Sequence, residues 1–240
     1  MSALAAQTRA ELTLTLRRGE SVLLILGIPL VLLAFFSTVD VLPKGDFKDP
    51  IDFLFPGILA LAVMSTGMVQ LSIGTAFERQ YGVLKRLGIT PLGRPRLLTA
   101  KTLSIVAIEI VQIVLLLLLA LALGWDAYVR IGALVGVVLG TIAFSGIGLL
   151  MAGLLPGEVT LAAANGLYLL LLLVGGMVVP LSELPTVLHR VAELLPSGAL
   201  TEVLAGTLNA GRSVPTHAWV VLLAWAVAAP LVAAKTFRWE

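Results

Sequence analysis

The feature that most constrains this chain is a succession of long apolar runs that lack any alternation of polar and apolar residues. About 20 consecutive apolar residues, coiled as an α-helix, rise about 30 Å, the thickness of a bilayer's hydrocarbon core. Within lipid every backbone donor and acceptor must be satisfied inside the protein, which leaves helices or closed barrels. The absence of period-two alternation selects helices. Candidate spans fall at about 21–41, 53–77, 102–123, 131–154, 159–179 and 217–235. Pro29 and Pro230 lie inside the first and last and are expected to kink them. Composition agrees: 59% of residues are hydrophobic and 12% charged, against roughly 25% charged in a soluble domain. The expected fold class is therefore an all-α integral membrane protein, one transmembrane domain over residues 1–240 with six transmembrane helices.

Basic residues in the connecting segments orient the spans. With both termini on one side, that side holds Arg9, Arg17, Arg18, Arg79, Lys85, Arg86, Arg94, Arg96, Lys101, Lys235 and Arg238. The other side holds Lys44, Lys48, Arg130, Arg190 and Arg212. Eleven against five predicts that the termini and the 78–101 loop are cytoplasmic. The net charge of +2 is too small to point to a nucleic-acid partner. The start of the chain, polar and mixed in charge to Glu20, does not resemble a cleavable signal, so the first apolar run is read as a retained helix.

Two segments are expected not to span. Residues 2–20 carry arginines and leucines without a shared apolar face, and are read as an interfacial helix. In the 183–208 stretch, Leu184, Leu188, Val191 and Leu195 recur on one helical face. Pro196-Ser-Gly198 then breaks the pattern, and a second short helix offers Leu200, Val203, Leu204 and Leu208. Two amphipathic half-helices at the outer interface are expected.

Several kinds of chemistry lack their residues. There is no cysteine, no phosphate-cradling Gly-x-x-x-x-Gly-Lys loop, and the two histidines, His189 and His217, stand far apart in the chain without ligand spacing. No bound metal or cofactor and no catalytic residue is expected of this chain. Ser145 is read as a small packing residue. Glu109 lies inside the third span, with Gln112 on the same face, and a carboxylate there is costly unless paired, protonated or facing water. It either lines a path or subunit contact, or hydrogen-bonds between helices. The Gly132-x-x-x-Gly136-x-x-x-Gly140 stripe reads as close helix packing, within the chain or at a subunit interface.

The loop between the second and third spans carries the most information. Glu78 to Leu87 is expected to form a short charged helix, with Val83, Leu84 and Leu87 as an apolar docking edge, ended by Thr90-Pro91 and turned back by Gly93 and Pro95. Here the sequence resembles the ABC-2 family of ABC transporter permeases, in particular its bacterial drug-exporter branch. The matching residues are Glu78-Arg79, Gly82, Leu84-Lys85-Arg86-Leu87 and Thr90-Pro91. A second match, Val179-Pro180-Leu-Ser-Glu-Leu-Pro185 followed by Leu195-Pro196, resembles that family's external re-entrant helices. Gln80 departs from the pattern, since many relatives carry a second acidic residue there.

The resemblance implies a permease subunit of the bacterial cytoplasmic membrane that pairs with a second copy or a homologous permease. Separate ATPase subunits, carrying ATP and Mg, would dock on its cytoplasmic face. Residues 78–89 would be the coupling helix, with Glu78 and Arg79 transmitting nucleotide-driven closure. The substrate would be an amphipathic drug, lipid or glycan precursor moving outward. An ion-driven secondary transporter would instead show inverted repeats and buried charges near the midplane. A membrane scaffold without transport is the third alternative.

Overall fold

The computed structural model describes residues 3–17, 19–39, 47, 49–88 and 94–237, and among them every regular element is helical. In chain order these are α1 (Ala3–Arg17), α2 (Gly19–Thr38), α3 (Pro50–Met64), a π-helical turn (Ser65–Gln70), α4 (Leu71–Gln80), α5 (Val83–Gly88) and α6 (Arg94–Ala122). They continue as α7 (Ile131–Leu154), α8 (Gly157–Val174), a 3-10 turn (Leu181–Glu183), α9 (Thr186–Leu194), α10 (Pro196–Leu208) and α11 (Thr216–Thr236). Among the described residues five helices are long and apolar enough to cross a membrane: Pro50–Gln80, Arg96–Ala122, Ile131–Leu154, Gly157–Val174 and Thr216–Thr236. Ile25–Thr38 in α2 is apolar but shorter.

The outward faces are those of a protein solvated by lipid. Ile110, Val114, Leu118 and Leu121 form an exposed stripe on α6, and Val220, Leu223, Val227 and Leu231 form one on α11. In water such stripes would cost about 25 cal/mol for each Å² left exposed, whereas hydrocarbon accepts them.

The α3–π–α4 rod stands at the centre. It is the most buried of the spans, wrapped by α2, α6, α7 and α10. Two glycines let neighbouring backbone approach it. A Cβ on Gly57 would lie 2.5 Å from the Met177 carbonyl oxygen, and one on Gly148 would lie 2.8 Å from the carbonyl of Met68 in the π turn. The glycine stripe of α7 also resolves. Cβ atoms on Gly132, Gly136 and Gly140 would strike Thr207, Val203 and Leu200 of α10 at 2.6–2.8 Å, so the stripe serves packing within this chain. Ser145 is buried and packs beside Gly67, as a small residue does.

The two ends differ. One, called here the basic end, carries α1, the α4–α5 turn and the end of α11. The far end carries α9, α10 and the start of α3, where the Asn209 amide donates to the Asp52 carbonyl at 2.9 Å. The prolines of the far end punctuate it. Pro180 precedes the 3-10 turn, Pro185 caps α9, and Pro196 opens α10, places where a missing N–H does no harm. The break between the half-helices falls at Leu195, so Pro196-Ser-Gly198 begins the second helix and does not interrupt it. Leu200, Val203, Leu204 and Leu208 are buried against α3 and α7. On α9 the exposed apolar face is Val187, Leu188, Val191 and Leu194.

Three expectations about the 78–101 segment are corrected. The single helix from Glu78 to Leu87 is two: α4 runs on from the span to Gln80, Tyr81-Gly82 turns, and α5 begins at Val83. Gly82 has φ +71, a left-handed conformation that glycine adopts without strain. Lys101 is not a loop cation, because α6 begins at Arg94 and buries Lys101 in its second turn. Leu84 is 0% exposed, packed with Leu71, Leu97, Ile105, Leu149, Ala233 and Phe237, and so belongs to the chain's own core. Leu87 lies partly buried beside it, which leaves Val83 as the exposed member of the expected edge. Thr90, Pro91 and Gly93 lie outside the described residues.

Candidate functional site

The base of α4 ties three neighbouring helices together through three consecutive residues. Successive residues of a helix point about 100° apart, so neighbours in sequence reach different partners. Glu78 pairs with Lys101 of α6, whose Nζ also lies 3.1 Å from both carboxylate oxygens of Glu11 on α1. Arg79 donates through Nη2 to the Leu155 carbonyl at 2.6 Å and through Nη1 to the Gly153 carbonyl, closing the C-terminal end of α7. A guanidinium there satisfies carbonyls that the helix leaves orphaned and offsets the negative end of its dipole. The Gln80 Oε1 accepts the Gly157 N–H at 3.0 Å, capping the first turn of α8. The departure at Gln80 therefore keeps the oxygen acceptor that an acidic residue would supply.

Beside this joint lies an open groove of about 810 Å³. Its walls come from α1, α2, the central rod, α6 and α8. Leu14, Ile25, Ile28, Val69 and Ile105 make it apolar, while Glu11, Glu78 and Lys101 give it a charged corner and Phe77, Tyr81 and Tyr168 supply rings. The exposed surface just past the joint is Tyr81 with Val83, Lys85 and Arg86 of α5.

Glu109 and Gln112 do not line this groove. Glu109 accepts from the Thr141 hydroxyl of α7 at 2.6 Å, and Gln112 donates to the Ile25 carbonyl of α2 at 2.8 Å while accepting from Thr66 at 3.1 Å. Both are buried and both bridge helices of the same chain. The geometry favours the interhelical reading over a path lining.

The family comparison supplies what geometry alone does not. The profile of the ABC-2 type transporter family matches residues 2–208. The chain belongs to the ABC-2 family of transport permeases. A curated protein of Bacillus subtilis (strain 168), provisionally named transport permease YvfS, is 26% identical over 202 residues, covering 82% of each chain. This permease is accordingly a multi-pass membrane protein, and ABC-2 permeases typically work with ABC ATPase partners.

Sequence reasoning missed one cluster. His189 and Glu193 of α9, Glu202 of α10 and His217 of α11 converge at the far end. His217 Nε2 lies 3.0 Å from Glu202 Oε2 and 3.8 Å from Glu193 Oε1, which is itself 3.4 Å from His189 Nε2. The spacing of His189 and Glu193 at i, i+4 was legible, but the convergence of three helices was not. Among the described residues no group of three or more is arranged to hold a metal ion.

Proposed function

We propose that this permease is the membrane half of an ATP-driven exporter, acting in the bacterial cytoplasmic membrane as a pair with a second copy or a homologue. The six-span arrangement is completed by α2, both termini lie in the cytoplasm, and the basic end receives separate ATPase subunits that carry ATP and Mg. The substrate is amphipathic and moves outward, with the groove as its lodging place on the cytoplasmic side.

The observation that carries this reading is the Glu78-Arg79-Gln80 joint. Free energy from a soluble ATPase reaches lipid-embedded helices only through elements that move as units. The joint attaches the exposed α5 surface to the base of the central rod and from there to α1, α6, α7 and α8. A displaced α5 therefore drags the walls of the groove. An ion-driven mechanism centred on Glu109 is less favoured, because Glu109 accepts from Thr141 within the bundle and is not among the residues lining the groove.

The test is reconstitution with the cognate ATPase in proteoliposomes, measuring vanadate-sensitive hydrolysis and export together. Glu78→Ala with Arg79→Ala is expected to keep the ATPase in detergent pulldowns and to lose most export. Val83→Asp with Arg86→Glu, on the exposed surface, is expected to weaken docking itself. Leu84→Asp is not a docking probe, because it buries a charge in the permease's own core. Normal export by the first variant together with normal docking by the second would overturn the coupling assignment.

A further inference from the structure

Two side chains lining the groove hold hydrogen-bonding atoms that nothing uses. The Gln70 Oε1 and the Thr75 Oγ1 are buried without a hydrogen-bond partner, and both residues line the groove. Thr75 is 1% exposed. Other hydroxyls of the same rod behave differently: Ser65 and Ser72 donate to the Ala62 and Val69 carbonyls at 3.1 and 3.0 Å. A buried oxygen without a partner is costly in the empty state and rewards a guest that brings a donor. An amide oxygen such as the Gln70 Oε1 can only accept. Depth narrows the guest further. Gln70 stands eight residues before Glu78 on the rod, about 12 Å along the axis from the basic end. Asn165, which also lines the groove, lies eight residues beyond Gly157, the residue capped by Gln80, and so stands at a similar depth, about 12 Å. Tyr168 joins the lining one helical turn further on. These four side chains are polar and uncharged, and they sit among apolar walls at the level of the hydrocarbon.

We propose that the groove binds neutral lipophilic molecules that carry hydroxyl or N–H donors within an apolar body, taken from solution in the bilayer. This rests on the exporter reading for its purpose, though not for its test. The selection does not involve Glu11, Glu78 or Lys101. A bilayer lipid keeps its polar atoms at headgroup level and would bring only methylenes to the depth of Gln70. A plain hydrocarbon would leave the oxygens of Gln70 and Thr75 unmet. An ionised group would be desolvated there beside four side chains that carry no charge to answer it.

The test uses purified permease without any ATPase, in a detergent whose headgroup carries no hydroxyl. The probes are diethylstilbestrol, an apolar body with two phenolic hydroxyls, and its dimethyl ether, which keeps the body and lacks the donors. Equilibrium dialysis with protein-free micelles as the blank reads saturable binding. The ether is the more lipophilic, so partition into an apolar surface would favour it. The diol is instead expected to bind about tenfold more tightly, as when a buried oxygen gains a partner in place of being left unmet. Thr75→Val and Gln70→Met should each shrink that ratio and tighten the ether, a gain that misfolding cannot imitate. Dioleoylglycerol, whose hydroxyl stays at headgroup level, should not displace the diol. Ether binding as tight as the diol's, a ratio that survives both substitutions, or displacement by dioleoylglycerol overturns the proposal. Absent diol binding, as when a second copy covers the groove, overturns it too. ATP-driven export of a substrate without donors, alongside equal binding of the two probes, would sink this assignment and leave the exporter reading standing. Absent ATP-driven export with the diol preference intact would do the reverse.

Discussion

The two ends of the permease each hold an ionic cluster, and the clusters are built on different principles. At the basic end a single lysine, Lys101, sits at 3% side-chain exposure between Glu11 and Glu78. At the far end His189 and His217 meet Glu193 and Glu202, with the histidines 35% and 44% exposed. The first cluster is closed by a lysine held between two carboxylates. The second contains a carboxyl, Glu202, whose titration its surroundings shift, so it is conditional. The ring of His189 is oriented by its Nδ1, 2.7 Å from the Leu181 carbonyl. Burial raises the Glu202 carboxyl above its ordinary range, His217 pulls it back, and the net direction is up. The contrast is between a buried tie where movement must be transmitted and a tie that proton concentration adjusts.

The largest expected effect comes from removing the buried cation. Lys101→Met removes the cation held between Glu11 and Glu78, and breaking a buried ion set from one side costs about 3–5 kcal/mol. Denaturation followed by tryptophan fluorescence in detergent should show that loss. Adding Glu11→Gln and Glu78→Gln to Lys101→Met should recover part of it. A variant as stable as the wild type would mean that the trio is an unimportant surface contact.

A smaller effect is expected at the far end, and it depends on pH. A carboxyl whose folded pKa is raised contributes stability below its unfolded value of about 4.3 and loses it as pH rises through the folded value. The wild type should therefore be more stable at pH 5 than at pH 8, and Glu202→Gln should flatten that difference, read as the change of Tm with pH. Lys101→Met should leave the slope itself unchanged. A slope that survives Glu202→Gln would remove the distinction between the two clusters.

The smallest effect sharpens the constant side. Gln80→Glu places a full negative charge at the first turn of α8, where the Gly157 N–H already points. Stabilisation by about 0.3–1 kcal/mol is expected, the usual worth of an anion at a helix N-terminus. It should be present throughout the neutral range. Destabilisation would show that Glu78, two residues away, repels the new charge more than the dipole attracts it.

Hydropathy made most of the spans legible, and for α7 and α11 the expected boundaries agree with the helices to within a residue. An apolar run in lipid has few alternatives to a helix, so pattern and fold coincide. The segment after Arg79 was less legible because its residues serve two demands at once. Leu84 fits an amphipathic docking edge by spacing and a core anchor by partner, and spacing alone does not name the partner. Lys101 reads as a loop cation until Glu11, ninety residues earlier, is found beside it. Gly132, Gly136 and Gly140 announced close packing, but their choice of α10 over another subunit depended on the register of Leu200, Val203 and Thr207. The acceptors at Gln70 and Thr75 gave no signal at all, since an unpartnered oxygen is a property of surroundings and not of sequence.

The central rod also bears on how the permease is made. Ser65, Thr66, Gln70, Ser72 and Thr75 give it polar side chains, and α6, α7 and α8 pack against it in the finished bundle. Ribosomes deliver those helices only after the rod has left the exit tunnel. During that interval Ser65 and Ser72 are satisfied by the Ala62 and Val69 carbonyls of the rod itself, whereas Thr66, whose finished partner is Gln112 of α6, must rest in the insertion machinery or face lipid without that partner. Release of this helix into the bilayer is therefore expected to wait on synthesis of α6, which supplies that partner.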